Sequence, residues 1–157
     1  MSIRYHSSVL ITNNIENMKK FYTEVMGQDV EHDFGGCVIF ECGLTIWKLE
    51  GEYPLAKALG DKCCAGENRG MEVCFETDEF AAESEALLRK NLKLIHGVTE
   101  EQWGQLTIRF YDPDGNIIEL GESMPCFCRR LFSSGLSEDE VAKKTGIQLK
   151  TVKEYLS

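Results

Sequence analysis

The hairpin sequence WGQLTIRFYDPDGNIIELGE, residues 103–122, decides the fold class of this chain. Apolar and polar residues alternate on both sides of a DPDG turn, which is the pattern of two β-strands that each bury one face. Asp, Pro and Gly are the residues that tight turns prefer. One acidic residue, Glu119, interrupts the second, otherwise apolar strand. Because a buried charge is costly, a carboxylate at this position marks a candidate functional residue.

Strand and helix patterns recur in the same order in both halves of the chain. In the first half, β-branched residues predict a strand, Asn14 caps a predicted helix that ends at Gly27, and three short strands follow. In the second half, residues 71–77 predict a strand, Asp78 caps a predicted helix, and three more strands follow. Residues 51–70 lack periodicity and predict a linker or crossover loop. The repeat predicts an α+β fold of two tandem βαβββ units, whose mixed β-sheet curls into a cup.

Two segments of this repeat resemble the signatures of a known superfamily. The strand–helix sequence SVLITNNIENMKKFYTEVMG (8–27) and the hairpin RFYDPDGNIIELGE (109–122) are similar to those of the vicinal oxygen chelate superfamily. That superfamily includes glyoxalase I, extradiol dioxygenases, fosfomycin-resistance enzymes and bleomycin-binding proteins. The resemblance implies one glyoxalase-like domain of residues 1–122, with its two units at about residues 1–50 and 70–122.

The resemblance also indicates where a metal ion would be held. In the metal-dependent members, four inward-facing positions of the cup bind a divalent ion. These positions correspond to Ser7 and Trp47 in the first unit and to Glu72 and Glu119 in the second. Serine and tryptophan replace metal ligands, so we expect no cofactor. The alternative is a divalent ion held by the two carboxylates, Mg²⁺ or Mn²⁺ in preference to Ni²⁺ or Zn²⁺.

The first strand of the hairpin carries a second candidate, Arg109. Alternation places Leu106, Ile108 and Phe110 on the face that packs on a helix, and therefore places Arg109 on the cup side. A guanidinium pairs well with a carboxylate, either that of Glu119 on the neighbouring strand or that of an anionic substrate. We prefer the intramolecular pair, because an unpaired buried charge is costly.

Three further residues are candidates for substrate binding together with Arg109. His96 ends a predicted strand and is either a general base or a hydrogen-bonded structural residue. Trp47 and Trp103 either form aromatic walls for a planar ligand or pack in the core.

The composition argues against several classes of protein. The chain has 157 residues and a formal net charge of −9, which repels a phosphate backbone, so we expect no nucleic-acid partner. No apolar run reaches the roughly 18 residues of a membrane span, and the N-terminus lacks a signal-peptide pattern. We therefore expect a cytoplasmic protein without a membrane partner. The seven cysteines are odd in number and lack CxxC spacing, which predicts reduced thiols.

Residues 123–157 lie outside the repeat and predict a short helical extension. Ser137 with Glu140 predicts a capping box, and Gly146 separates two short helices. GLSEDEVAKKTGIQLKTVKEYLS resembles the helix-turn-helix of bacterial regulators, but its apolar residues also suit a simple packed helical pair. The segment before it is barely long enough for a third helix. We therefore expect an appendage that packs on the cup or on a partner subunit.

The resemblance implies a glyoxalase-like small-molecule enzyme of lyase or isomerase type, acting in the cup and assembled as a homodimer. Glu119 would act as a base or weak metal ligand, Glu72 would assist it, and Arg109 would stabilise an anionic intermediate. The alternative is a metal-free protein that binds or sequesters a small molecule, as the bleomycin-binding members do. A third possibility is a ligand-responsive regulator that uses the C-terminal helices on DNA.

Overall fold

The computed structural model describes residues 6–53, 55–56, 68–101 and 103–157. The chain divides into two compact units, one of Met1–Gly70 with Asp112–Asn116 and one of Met71–Tyr111 with Ile117–Ser157. Most of the predicted linker, including Cys63 and Cys64, lies outside the described residues. The five cysteines that are described are free thiols.

The first unit holds four strands and one helix that continues as a π-helical segment. Its elements are β1 (Ser8–Thr12), α1 (Ile15–Lys20), the π-helical segment Phe21–Val25, β2 (Val30–Asp33), β3 (Cys37–Phe40) and β4 (Leu44–Lys48). The strands form one mixed sheet in the order β1-β4-β3-β2, in which β1 runs parallel to β4. The predicted cap is confirmed, since the Asn14 side chain accepts a hydrogen bond from the Asn17 N–H at 3.1 Å.

Tyr22 connects the core of the first unit to the DPDG turn. Its ring packs against Phe40 with centroids 5.6 Å apart, and its hydroxyl donates to Asp112 at 3.0 Å. The Asp112 carboxylate also accepts the backbone N–H groups of Asp114 at 3.0 Å and Asn116 at 2.9 Å. Burial raises the pKa of Asp112 above its ordinary value, against the lowering effect of these hydrogen bonds. The buried carboxylate therefore fixes the turn.

The second unit repeats the first and adds three helices. Its elements are β5 (Asn68–Thr77), α2 (Phe80–Leu88), β6 (Leu94–Glu100), β7 (Leu106–Tyr111), β8 (Asn116–Glu122), α3 (Met124–Ser133), α4 (Glu138–Thr145) and α5 (Leu149–Leu156). The strand order β5-β8-β7-β6 is that of the first sheet, with the first and last strands of the unit adjacent. The prediction of an α+β fold with two βαβββ units is confirmed.

The predicted cap of α2 is wrong by one residue. Glu79 is the N-cap and makes no side-chain capping hydrogen bond. The backbone N–H of Glu79 donates a hydrogen bond to the Thr77 hydroxyl at 3.1 Å. Asp78 does not cap the helix, because its carboxylate accepts the hydroxyl of Ser123.

The C-terminal extension has three helices rather than two. The first of them, α3, is ten residues long, with Pro in its first turn and Ser123 as its cap. The predicted capping box of Ser137 and Glu140 is confirmed, and so is the helix end at Gly146, which has φ 73°. Among the described residues, no helix combines the length and hydropathy that crossing a bilayer requires.

Candidate functional site

A row of three polar side chains crosses the second sheet. Arg109 on β7 lies directly opposite Glu119 on β8 and opposite His96 on β6. The neighbouring Ile108 and Phe110 are fully buried, as predicted, and Arg109 faces away from that core. The predicted alternation does not hold over the whole strand, because Thr107 is also fully buried and Leu106 is half-buried. The register of a hairpin therefore brings the acidic and the basic candidate together.

The guanidinium of Arg109 contacts three carboxylates. Its Nε lies 2.5 Å from Glu72 Oε1, and its two terminal nitrogens contact Glu101 and Glu119. The predicted Arg109–Glu119 ion pair is confirmed. Glu101 was not predicted, because it follows β6 in a loop and reaches Arg109 only through the fold. We call these four residues the Arg109 cluster.

The Arg109 cluster keeps a formal excess of two negative charges, since three carboxylates surround one guanidinium. Burial, which is the largest effect, and the charges of Glu72 and Glu101 raise the pKa of Glu119, against the lowering effect of Arg109. The hydrogen bond from Arg109 instead holds the pKa of Glu101 below its usual range. Burial and the neighbouring carboxylates therefore favour the protonated form of Glu119.

Cys74 lies beside the cluster on β5. Burial raises the pKa of its thiol to about 11, and the negative charges of Glu119 and Glu72 add to this effect. The thiol stays protonated at neutral pH and is a poor nucleophile there.

His96 lies inside β6, which continues to Glu100, so the expectation that it ends a strand is wrong. Its Nδ1 is 2.8 Å from the Gly97 carbonyl oxygen, and its Nε2 is 3.2 Å from a terminal nitrogen of Arg109. Because Arg109 can only donate, Nε2 accepts and Nδ1 carries the proton. Both ring nitrogens of His96 therefore have a hydrogen-bond partner beside the cluster.

The two tryptophans lie in different units. Trp47 is on β4 of the first unit, half-buried, with its ring edge-on to Tyr53 at 5.2 Å between centroids. Trp103 belongs to the second unit and is 45% exposed, so it does not pack in a core. Its indole N–H donates to Gln105 at 3.0 Å. Ser7, the remaining predicted position, directly precedes β1 in the first unit.

The two carboxylates of the second unit that were predicted as metal ligands, Glu72 and Glu119, do not fit a divalent metal ion. Both Glu72 and Glu119 are already paired with Arg109, whose guanidinium supplies the positive charge that an ion would bring. Within the part of the chain that the structure describes, no group of three or more His, Cys, Asp or Glu side chains is arranged to hold a metal.

A buried carboxylate holds the loop that supplies Glu101. Glu122 is 2% exposed and accepts the backbone N–H of Leu106 at 2.9 Å. Arg130 on α3 donates to both oxygens of Glu122, at 2.6 and 2.8 Å, and to the Gly104 carbonyl oxygen at 2.5 Å. Helix α3 is therefore tied to the loop beside the Arg109 cluster. Neither Glu122 nor Arg130 was predicted, because nothing in the sequence marks a contact between a strand end and the next helix.

We expect the pKa of Glu119 to respond in opposite directions to its two kinds of neighbour. Glu72→Gln removes a negative charge and should lower this pKa, whereas Arg109→Met removes a positive charge and should raise it. The measurement is a ¹³C NMR titration of the glutamate carboxyl carbons. Glu83→Gln, on the exposed surface of α2, is the matched control and should leave it unchanged. A raised pKa of Glu119 in Glu72→Gln would contradict this account of the cluster.

Comparisons with known proteins agree with this architecture. Residues 5–125 match the family model described as the glyoxalase-like domain. A protein of unknown function from Agrobacterium tumefaciens is 30% identical, with TM-score 0.68, over 79% of this chain and 97% of its own. No curated protein matches the chain.

Two solved structures of lower identity share the fold. A glyoxalase-related enzyme from Fulvimarina pelagi is 20% identical, with TM-score 0.63, over 76% of this chain and 88% of its own. A lactoylglutathione lyase from Agrobacterium tumefaciens is 20% identical, with TM-score 0.58, over 76% of this chain and 93% of its own.

Proposed function

Because this chain belongs to the glyoxalase-like family of the vicinal oxygen chelate superfamily, we propose that it is an enzyme of lyase or isomerase type that acts on a small molecule at the Arg109 cluster. The observation that carries the proposal is the position of Glu119. This carboxylate is partly buried, its pKa is raised, and Arg109 fixes its orientation from the opposing strand. A carboxylate that acts as a general acid and base needs a raised pKa and a fixed position relative to the substrate.

The chemistry consists of two proton transfers and, in a lyase reaction, the cleavage of one bond to a leaving group. Glu119 takes a proton from a carbon next to a carbonyl group of the substrate. It then returns that proton to a neighbouring atom for an isomerisation. In a lyase reaction the electron pair left on the carbon forms a double bond, the bond from the next carbon to the leaving group breaks, and Glu119 gives the proton to that group. Arg109 is a positioning residue here. Its N–H groups are directed at Glu72, Glu101 and Glu119, and this leaves it little capacity to stabilise an anionic intermediate.

The charge of the cluster indicates the class of substrate. Two excess negative charges attract a cation and repel an anion at short range. We therefore expect a small carbonyl compound that carries an amine or another cationic group, in preference to a carboxylate. The net charge of −9 on the whole chain acts in the same direction.

A second function, metal-free sequestration of a small molecule, is favoured by the same ion pairs. Arg109 neutralises part of the charge of Glu72 and Glu119 without a metal, and binding alone requires no turnover. Such a protein would keep the substrate preference of the cluster but would not exchange protons with its ligand.

The experiment uses a panel of small carbonyl compounds, each tested as an amine-bearing and a carboxylate-bearing analogue. Thermal-shift assays identify the compounds that bind. NMR in D₂O then follows protein-dependent exchange of hydrogen at the carbon beside the carbonyl. We expect amine-bearing compounds to bind and exchange. Glu119→Gln should still bind them but exchange them about 100-fold more slowly, because general acid–base catalysis contributes effects of this size.

The controls separate the two functions. Glu83→Gln, on the exposed surface of α2, should behave like the wild type. Binding without exchange in the wild-type protein would favour sequestration over catalysis. Preferential binding of the carboxylate-bearing compounds would contradict both, because both place the ligand at the negatively charged cluster.

A further inference from the structure

Helices α4 and α5 have the connection of a helix-turn-helix. Each is eight residues long, and only Gly146, Ile147 and Gln148 separate them. Gly146 has φ 73°, a left-handed conformation that ends α4 and redirects the chain. A turn of three or four residues that contains glycine is characteristic of this motif.

Helix α3 completes a three-helix module with its own core. The buried residues of that core come from all three helices: Phe127, Cys128, Leu131, Val141 and Val152. Ile147 and Leu156 pack against them and are partly buried. The segment before α4, which by its sequence is barely long enough for a third helix, therefore forms one. That helix supports the α4–α5 pair.

Helix α5 turns a polar face to solvent. Val152 is fully buried, whereas the Lys150 and Lys153 side chains are 88% and 56% exposed. Gln148 is exposed at the start of the helix and Thr151 is half-buried. The N-terminal part of α5 therefore presents two cations and two neutral hydrogen-bonding side chains, the part of a recognition helix that contacts DNA bases.

The charge of the chain is divided unevenly. Residues 123–157 contain six Lys and Arg against four Asp and Glu, whereas residues 1–122 contain eleven against twenty-two. The module is thus weakly basic on a strongly acidic chain. A phosphate backbone is therefore repelled less by this module than by the rest of the chain.

The lysines of α5 are not committed to strong ion pairs. Lys150 lies 4.0 Å from Glu154, and Lys153 lies 3.6 Å from Glu138. Ion pairs between exposed side chains contribute about 0–1 kcal/mol, so a phosphate group can replace either glutamate.

We infer that the module of residues 123–157 binds duplex DNA, with α5 in the major groove. Lys150 and Lys153 contact phosphates, and Gln148 and Thr151 face the base edges. This function is separate from the small-molecule chemistry proposed for the Arg109 cluster and does not depend on it.

The test is fluorescence anisotropy of the full chain with a labelled duplex of about 20 base pairs, between about 50 and 200 mM salt. We expect binding that weakens as salt rises. The variant Lys150→Ala/Lys153→Ala should bind about tenfold more weakly, and its slope of log affinity against log salt should be smaller by about two. Circular dichroism verifies that it folds. This variant should leave the hydrogen exchange of carbonyl compounds unchanged.

The matched control is Lys20→Ala/Lys48→Ala in the first unit. These lysines are also exposed and also lie near glutamates, at 3.9 Å from Glu24 and 3.8 Å from Glu50. They should change the affinity by less than about twofold. The inference is overturned if the wild type does not bind the duplex at low salt, if both variants weaken binding equally, or if single-stranded DNA of the same sequence binds as well.

Discussion

Arg130→Met should lower the free energy of unfolding by about 2–3 kcal/mol at neutral pH, because Glu122 is buried whereas Arg130 keeps 34% exposure. The substitution keeps the length of the side chain but leaves the carboxylate of Glu122 buried without its cation. Glu122 would retain the backbone N–H of Leu106, at 2.9 Å, as its described partner. Urea denaturation followed by tryptophan fluorescence measures the change.

The neighbouring Arg129 provides the control for this prediction. Arg129 is 51% exposed and lies 3.7 Å from Asp78, so Arg129→Met should change the free energy of unfolding by less than about 0.5 kcal/mol. Equal effects of the two substitutions would show that the ion pair of Arg130 with Glu122 contributes no more to stability than an exposed arginine on the same helix. The difference between the adjacent arginines thus isolates the contribution of the ion pair with the buried Glu122.

Arg109→Met should lower the free energy of unfolding by about 2–3 kcal/mol at pH 7. This is less than for a fully buried pair, because the four side chains of the cluster retain 14 to 31% exposure and water screens their charges. Three ionised carboxylates would then repel one another with no cation among them.

Arg109→Met should lower the free energy of unfolding by less at acidic pH than at pH 7. In the wild type, Arg109 lowers the pKa of Glu101, so its stabilising contribution is present above the ordinary value of 4.5 and is lost as pH falls through the folded value. Glu119 has a raised pKa, so the cost of keeping it ionised disappears on protonation. The wild type and Arg109→Met should therefore differ less at pH 4 than at pH 7. A difference that stays constant over this range would contradict the electrostatic origin of the effect.

Local signals allowed much of the fold to be predicted. The Asn14 cap, the box of Ser137 and Glu140, and the left-handed Gly146 depend on residues within a few positions of one another. The pairing of Arg109 with Glu119 was also predictable, because a short turn fixes the register of a hairpin.

The contacts that were missed join a strand to a loop or helix that does not pair with it. Glu101 reaches Arg109 from a loop, and Arg130 reaches Glu122 from the next helix, and no periodicity signals either contact. The length of α3 was a different kind of miss, since Ser123 followed by Met and Pro is a local signal for a helix start. Asp78 looked like a cap but bonds to Ser123, which is distant in sequence.

The ion pair between Arg130 and Glu122 makes the C-terminal helices part of what stabilises the domain that precedes them. The match to the family model ends at residue 125, so nearly all of the C-terminal extension lies outside the matched domain. A chain that lacks these helices would leave Glu122 without the guanidinium of Arg130. Removal of the extension should therefore destabilise the remaining domain, and replacing Glu122 with a neutral residue should reduce that cost.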